Sequence, residues 1–177
     1  MVAVNAKLNS YTASVKVDVN MKTFPFLSPT LEGSLYHKKP DREAIVFRTY
    51  PALASAFKKV YPRVEAPARW NEIYVVTQGA DQDGATSFKL VPRKHGRIDH
   101  IDVKVDDATA TVSSMTWYYN DDPGTISFTA EYADVNGNYL IKSQTGKVDL
   151  EKYKADVKSE FSDFKINVAI NDSVFAP

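Results

Sequence analysis

A mainly β, antiparallel fold, in a single domain covering residues 1–177, is what this sequence predicts, and three observations predict it. Apolar and polar residues alternate with the two-residue period of half-buried strands over long stretches. Strong turn signals, among them Asp83-Gly84 and Asn136-Gly137, recur between those stretches at hairpin spacing. Apolar residues fall convincingly at helical spacing in one segment alone within the first two thirds of the chain.

The elements follow in order. Tyr11, Ala13, Val15, Val17, Val19 and Met21 alternate with Thr12, Ser14, Lys16, Asp18, Asn20 and Lys22, giving a strand with one apolar face. Phe24-Pro25-Phe26-Leu27-Ser28-Pro29 interrupts it, because proline cannot donate to a ladder, and presents three large apolar residues as if exposed. Strands are expected at Glu32 to His37 and Glu43 to Thr49, paired as a hairpin whose turn starts at Pro40. Ile45 and Phe47 share a face there, with Val46 opposite.

Pro51 to Tyr61 breaks the period and predicts a helix stopped by Pro62. Its stripe is Leu53, Phe57, Val60 and Tyr61, with Lys58 and Lys59 off it. Pro67 and Trp70 fall in the loop that follows. Further strands are expected near Glu72–Gln78, Ser87–Val91, Ile98–Val105, Thr111–Tyr119, Thr125–Ala133, Asn138–Thr145 and Phe164–Asn171. Leu150 to Val157 reads equally as a short helix or a polar loop. About ten strands at this spacing argue for an antiparallel meander.

Composition narrows the functional classes. At 177 residues, 44% hydrophobic and 25% charged, the chain can build an ordinary core. Lys+Arg and Asp+Glu balance at 22 each, without the basic footprint that nucleic-acid binding draws on. Lys38, Lys39 and Arg42 cluster, as do Arg93, Lys94 and Arg97, and both clusters read as solvated loops. Without cysteine there are no disulfides, thiolate metal sites or thiol catalysis. No stretch approaches the ~20 apolar residues of a transmembrane span. A targeting segment is expected to have been removed ahead of Met1.

Several ordered segments carry a resemblance. They are Leu8 to Val15, the glycine–strand–basic–proline hairpin Glu32-Gly33-Ser34-Leu35-Tyr36-His37-Lys38-Lys39-Pro40-Asp41, Phe88 to Pro92, Ile98 to Asp106, Thr111 to Tyr119, and Phe164 to Phe175. In this order they resemble the LolA-like superfamily, the periplasmic carriers and sorting proteins of outer-membrane lipoproteins. The resemblance implies a curved antiparallel sheet forming an incomplete barrel, with a helical lid over an apolar cavity for acyl chains. It implies an extracytoplasmic, periplasmic location. Lipid or lipoprotein acyl chains are then the ligand, with a membrane-bound donor or acceptor protein as a further partner. Val15, Val17, Leu35, Ile45, Phe47, Val103, Met115, Trp117 and Phe128 are expected to line the cavity, beneath a lid of Leu53, Phe57 and Tyr61.

Three departures from the pattern stand out. The carrier proper has an arginine before the hairpin proline that latches the lid. Lys39 stands there in this chain, a point donor without the planar fork. With residues 1–9 ahead of the first strand, the family's N-terminal helix is expected to be missing or shortened. The insert from Pro51 to Asn71 is longer than in the carrier.

No catalytic constellation competes with this reading. His37, His95 and His100 stand at no metal-ligand spacing, and no serine sits in a nucleophile elbow. Asp106-Asp107 and Asp121-Asp122 fall at turns, where aspartate binds local backbone. Asp81, Asp83 and Gly84 lack the spaced ligands of a calcium loop. The expectation is therefore a non-enzymatic binder needing no metal or cofactor. The alternative is a protein-interaction or sensory module on the same fold, docking through its open edge or the Phe24–Leu27 loop.

Overall fold

The computed structural model describes residues 5–24, 26–40, 42–48 and 67–175. Ten antiparallel strands form one sheet in the order β3-β2-β1-β10-β9-β8-β7-β6-β5-β4. They are β1 (Ser10–Met21), β2 (Thr30–Lys38), β3 (Arg42–Phe47), β4 (Tyr74–Gln82) and β5 (Ala85–Pro92). The rest are β6 (Ile98–Asp106), β7 (Thr111–Tyr119), β8 (Gly124–Val135), β9 (Asn138–Leu150) and β10 (Lys154–Ile166). Every consecutive pair is hydrogen-bonded except β3 and β4, which are the two ends of the order. The sheet is therefore not closed, and a single ladder between β1 and β10 joins its two halves.

The turns form where the residue chemistry calls for them. Asp83 and Gly84 have φ of 52° and 75°, and Asn136 and Gly137 have 53° and 77°. Positive φ at both central positions is the hairpin turn whose twist matches that of paired strands. Asp134 Oδ1 also accepts the Gly137 N–H at 2.6 Å.

Cross-strand register puts the apolar residues on one face. One row runs Val76–Leu90–Ile101–Trp117–Ile126–Val148–Ala155–Met21 from β4 to β1. The next runs Gln78–Phe88–Val103–Met115–Phe128–Gly146–Val157–Val19. Two packed clusters result. One holds Leu90, Ile101, Val103, Met115 and Trp117 with Trp70 and Tyr74, and the other holds Val15, Val17, Val19, Met21, Leu31 and Ala155. Val148 touches both.

Several expectations need correcting. The last strand is Lys154–Ile166 rather than Phe164–Asn171, and Leu150 to Val157 is neither helix nor long loop. Ala155, Val157, Ser159 and Phe161 alternate with Lys154, Asp156, Lys158 and Glu160. That is a strand pattern whose inward side includes the small Ala155 and the polar Ser159, which weakened its signal. A bulge opposite Ala13, with Asp163 at φ 53°, then brings Phe161 and Phe164 to the same face.

Trp70 is not in a loop but starts a one-turn helix, α1 (Trp70–Ile73), and is buried with its ring edge-on to Phe88 at 6.3 Å. β4 accordingly begins two residues later than expected, at Tyr74. The predicted helix over Pro51–Tyr61, and with it the lid residues Leu53, Phe57 and Tyr61, lies outside the described residues. Among the described residues no helix is long and apolar enough to cross a membrane.

Candidate functional site

The residues expected to line a cavity share one face of the sheet, with unequal exposure. Val15, Val17, Leu35, Val103, Met115 and Trp117 are buried, and Phe128 is half-buried against Trp117 with ring centroids 5.5 Å apart. Val103, Met115, Trp117 and Phe128 come together in the first cluster, and Val15, Val17 and Phe47 in the second. Leu35, though buried, joins neither cluster, and nor does Ile45. Register places it opposite Leu35 on the same face, but on the edge strand, where it is 42% exposed.

The wall is packed rather than open. Two open depressions, of about 460 and 660 Å3, lie elsewhere. The first is bordered mainly by Thr77, Ser87, Lys89, Asp102, Lys104 and Thr116 on the opposite, polar face, and the second by turn residues around Gly124 and Leu150.

One end of the apolar face is polar. Tyr11, His37 and Glu43 are direct cross-strand partners on β1, β2 and β3, two residues beyond Ala13, Leu35 and Ile45 on the same side. The His37 imidazole stacks on Tyr11 with centroids 5.0 Å apart, and His37 Nδ1 is 3.8 Å from Glu43 Oε2. Phe164 flanks Tyr11 at 6.5 Å.

Burial above all, with the nearby Glu43 carboxylate and then Tyr132, pushes the Tyr11 phenol well above the usual tyrosine range. Tyr132 sits on β8, three strands from β1. In a flat sheet that is about 14 Å of strand spacing. Tyr132 itself donates to the Val112 carbonyl at 2.8 Å, and burial raises its phenol to about 12.

The β2–β3 hairpin is held from two directions. Lys39 Nζ donates to the Asn5 and Ala6 carbonyls at 3.2 and 2.9 Å, so this lysine grips the segment before β1. On the outer face Lys38 and Arg42 both reach Asp172 Oδ1, at 2.6 and 3.1 Å, and the Arg42 guanidinium lies 5.3 Å from the Phe175 ring centre. Hydrogen bonding from Lys38, first among several causes, holds the Asp172 carboxyl below its usual range. The sequence reading missed this clamp because Asp172 is 134 residues from Lys38.

The remaining chemistry is structural. Asp106 accepts from the Thr109 N–H at 2.8 Å and its hydroxyl at 2.7 Å, Asp107 accepts from Thr86, and Asp121 pairs with Arg97. His100 stacks on Tyr118 at 4.1 Å and meets Asp99 at 2.6 Å. Among the described residues no three His, Asp or Glu side chains converge to hold a metal.

The β1–β2 loop is exposed at its tip. Phe24 and Phe26 are 82% and 68% exposed, and their rings meet edge to face at 6.5 Å. Leu27, expected to be exposed with them, instead turns inward against the second cluster.

Against known proteins, no family model matches the chain, and no curated protein matches it. Solved structures do. A DUF1329 family protein from Desulfovibrio piger superposes with a TM-score of 0.70 at 12% identity, over 97% of this chain and 91% of that one. A protein domain from Vibrio parahaemolyticus, designated for outer membrane lipoprotein sorting, gives 0.69 at 13% identity over 94% and 89%. A LolA superfamily protein from Nitrosomonas europaea gives 0.64 at 10% identity over 96% and 91%. The chain therefore has the LolA-like fold over nearly its full length.

Proposed function

We propose, from the LolA-like fold as premise, that this chain is an extracytoplasmic, non-catalytic carrier or binder of lipid or lipoprotein acyl chains. It would act in the periplasm and hold its ligand on the apolar inner face. The observation that carries the proposal is the continuity of that face. Apolar residues from all ten strands of the sheet point to one side, from Val76 and Leu90 through Trp117 to Val17, Leu31 and Phe47. A long alkyl chain needs no catalytic group to bind there. Each buried methylene contributes about 0.8 kcal/mol, so a dry apolar wall of matching shape suffices.

Because the wall residues are buried, ligand entry requires whatever covers them to be displaced. The acyl chain then replaces one apolar cover with another. Leu53, Phe57 and Tyr61 are the residues proposed for that cover, by their helical spacing.

Native mass spectrometry of the purified protein, with lipid extraction and uptake of a fluorescent fatty acid, tests the proposal. Co-purifying or exchangeable lipid at a one-to-one ratio is expected. A protein that carries no lipid from its host and takes none up would overturn it. A second reading rests on the exposed Phe24–Phe26 pair, which suits docking to a protein partner. Saturable partner binding that Phe24→Ser abolishes, with no dependence on lipid, would favour that reading.

A further inference from the structure

The apolar face has a polar end, and its chemistry is selective. Tyr11, His37 and Glu43 occupy one cross-strand row on the inner side, adjoining the row of Ala13, Leu35 and Ile45. The Tyr11 hydroxyl has no hydrogen-bond partner among the described residues. Neither does His37 beyond its 3.8 Å approach to Glu43. Among the described residues Glu43 meets no lysine or arginine. The cations of the same hairpin are engaged elsewhere: Lys38 and Arg42 at Asp172 on the outer face, and Lys39 at the Asn5 and Ala6 carbonyls.

We propose that Tyr11, His37 and Glu43 form a head-group subsite that takes the ammonium group of an amphiphile whose alkyl chain lies on the apolar face. The proposal rests on the carrier reading above and specifies its ligand. A primary ammonium has three N–H donors. The row offers three acceptors: a phenol oxygen, an imidazole nitrogen and a carboxylate. The one fixed charge among them is negative, so a carboxylate or phosphate head group would meet Glu43 as a like charge. A charge-assisted bond from ammonium to Glu43 is the stronger kind of hydrogen bond, and the stacked Tyr11–His37 pair gives it a rigid floor.

The test compares three probes with one chain length at pH 8, by isothermal titration calorimetry on the full chain: dodecylamine, dodecanol and dodecanoate. Dodecylamine is expected to bind at least tenfold more tightly than dodecanoate, with dodecanol between them. Glu43→Gln should bring amine and carboxylate to within about twofold while leaving dodecanol unchanged, since the wall is untouched. Glu43 is exposed on an edge strand, so this variant keeps the fold, and an unchanged melting curve verifies it. Tyr11→Phe should weaken the amine alone.

Equal binding of all three probes, or an amine preference that survives Glu43→Gln, overturns the subsite and leaves the carrier reading standing. No binding of any of the three overturns both.

Discussion

Trp117→Ala probes whether the inner wall is packed core or the lining of an open trough. Trp117 is 1% exposed, lies between Ile101 on β6 and Ile126 on β8, and touches the Phe128 ring. Truncating a buried tryptophan costs about 3–5 kcal/mol, from lost transfer energy and the cavity left behind. The upper half of that range is expected here. Both neighbouring strands are pinned by their ladders and cannot collapse into the gap. For a chain whose whole stability is about 5–15 kcal/mol, the loss is large. With a urea slope of roughly 2 kcal/mol per molar, it lowers the denaturation midpoint by about 2 M.

Urea unfolding followed by far-UV circular dichroism measures that midpoint. The double variant with Phe128→Ala should show coupling of about 0.5–3 kcal/mol, because the two rings share one contact. A loss below about 1 kcal/mol for Trp117→Ala would refute the packed wall. It would mean that the side chain faces empty or solvent-filled space.

The remaining predictions concern the frame around that wall. A Cβ on Gly33 would collide with the Val46 carbonyl oxygen and come within 2.8 Å of Phe47 Cα, so Gly33→Ala should cost about 1–3 kcal/mol and loosen β3, as faster amide exchange there would report. Burial raises Tyr132 from 10.0 to about 12, so its contribution to stability is complete below pH 10 and is lost as pH rises through 12. A Tyr132→Phe variant should show a shallower alkaline decline in melting temperature over that window. Asp172 is depressed, so its contribution is complete above the ordinary carboxylate value of about 4 and is lost as pH falls below it. Asp172→Asn should remove that acid dependence and free the β2–β3 hairpin, read as faster exchange at Arg42 to Phe47. Lys39→Met should cost about 1 kcal/mol and speed exchange of the Leu8 amide, which bonds the Asn5 carbonyl, while leaving β6 and β7 unchanged.

Where local chemistry is decisive, the sequence was legible. Alternation from Tyr11 to Met21 marked both the strand and the face it buries, because side chains two residues apart must share a side. Asn136-Gly137 and Asp83-Gly84 set their turns, because few residues tolerate positive φ in succession.

Other features depend on partners far away in the chain, and only the tertiary structure decided them. Lys154–Ile166 is held as a strand by β1 and β9 on either side of it, and its own alternation, weakened by Ala155 and Ser159, does not settle it alone. The bulge at Asp163 reverses which side the residues after it face, and Phe164 packs inward for that reason alone. Tyr11, His37 and Glu43 meet because two ladders align them. Local sequence carries a two-residue period. It carries no record of which strand will stand alongside, and in this sheet that choice sets the last strand and the polar end of the apolar face.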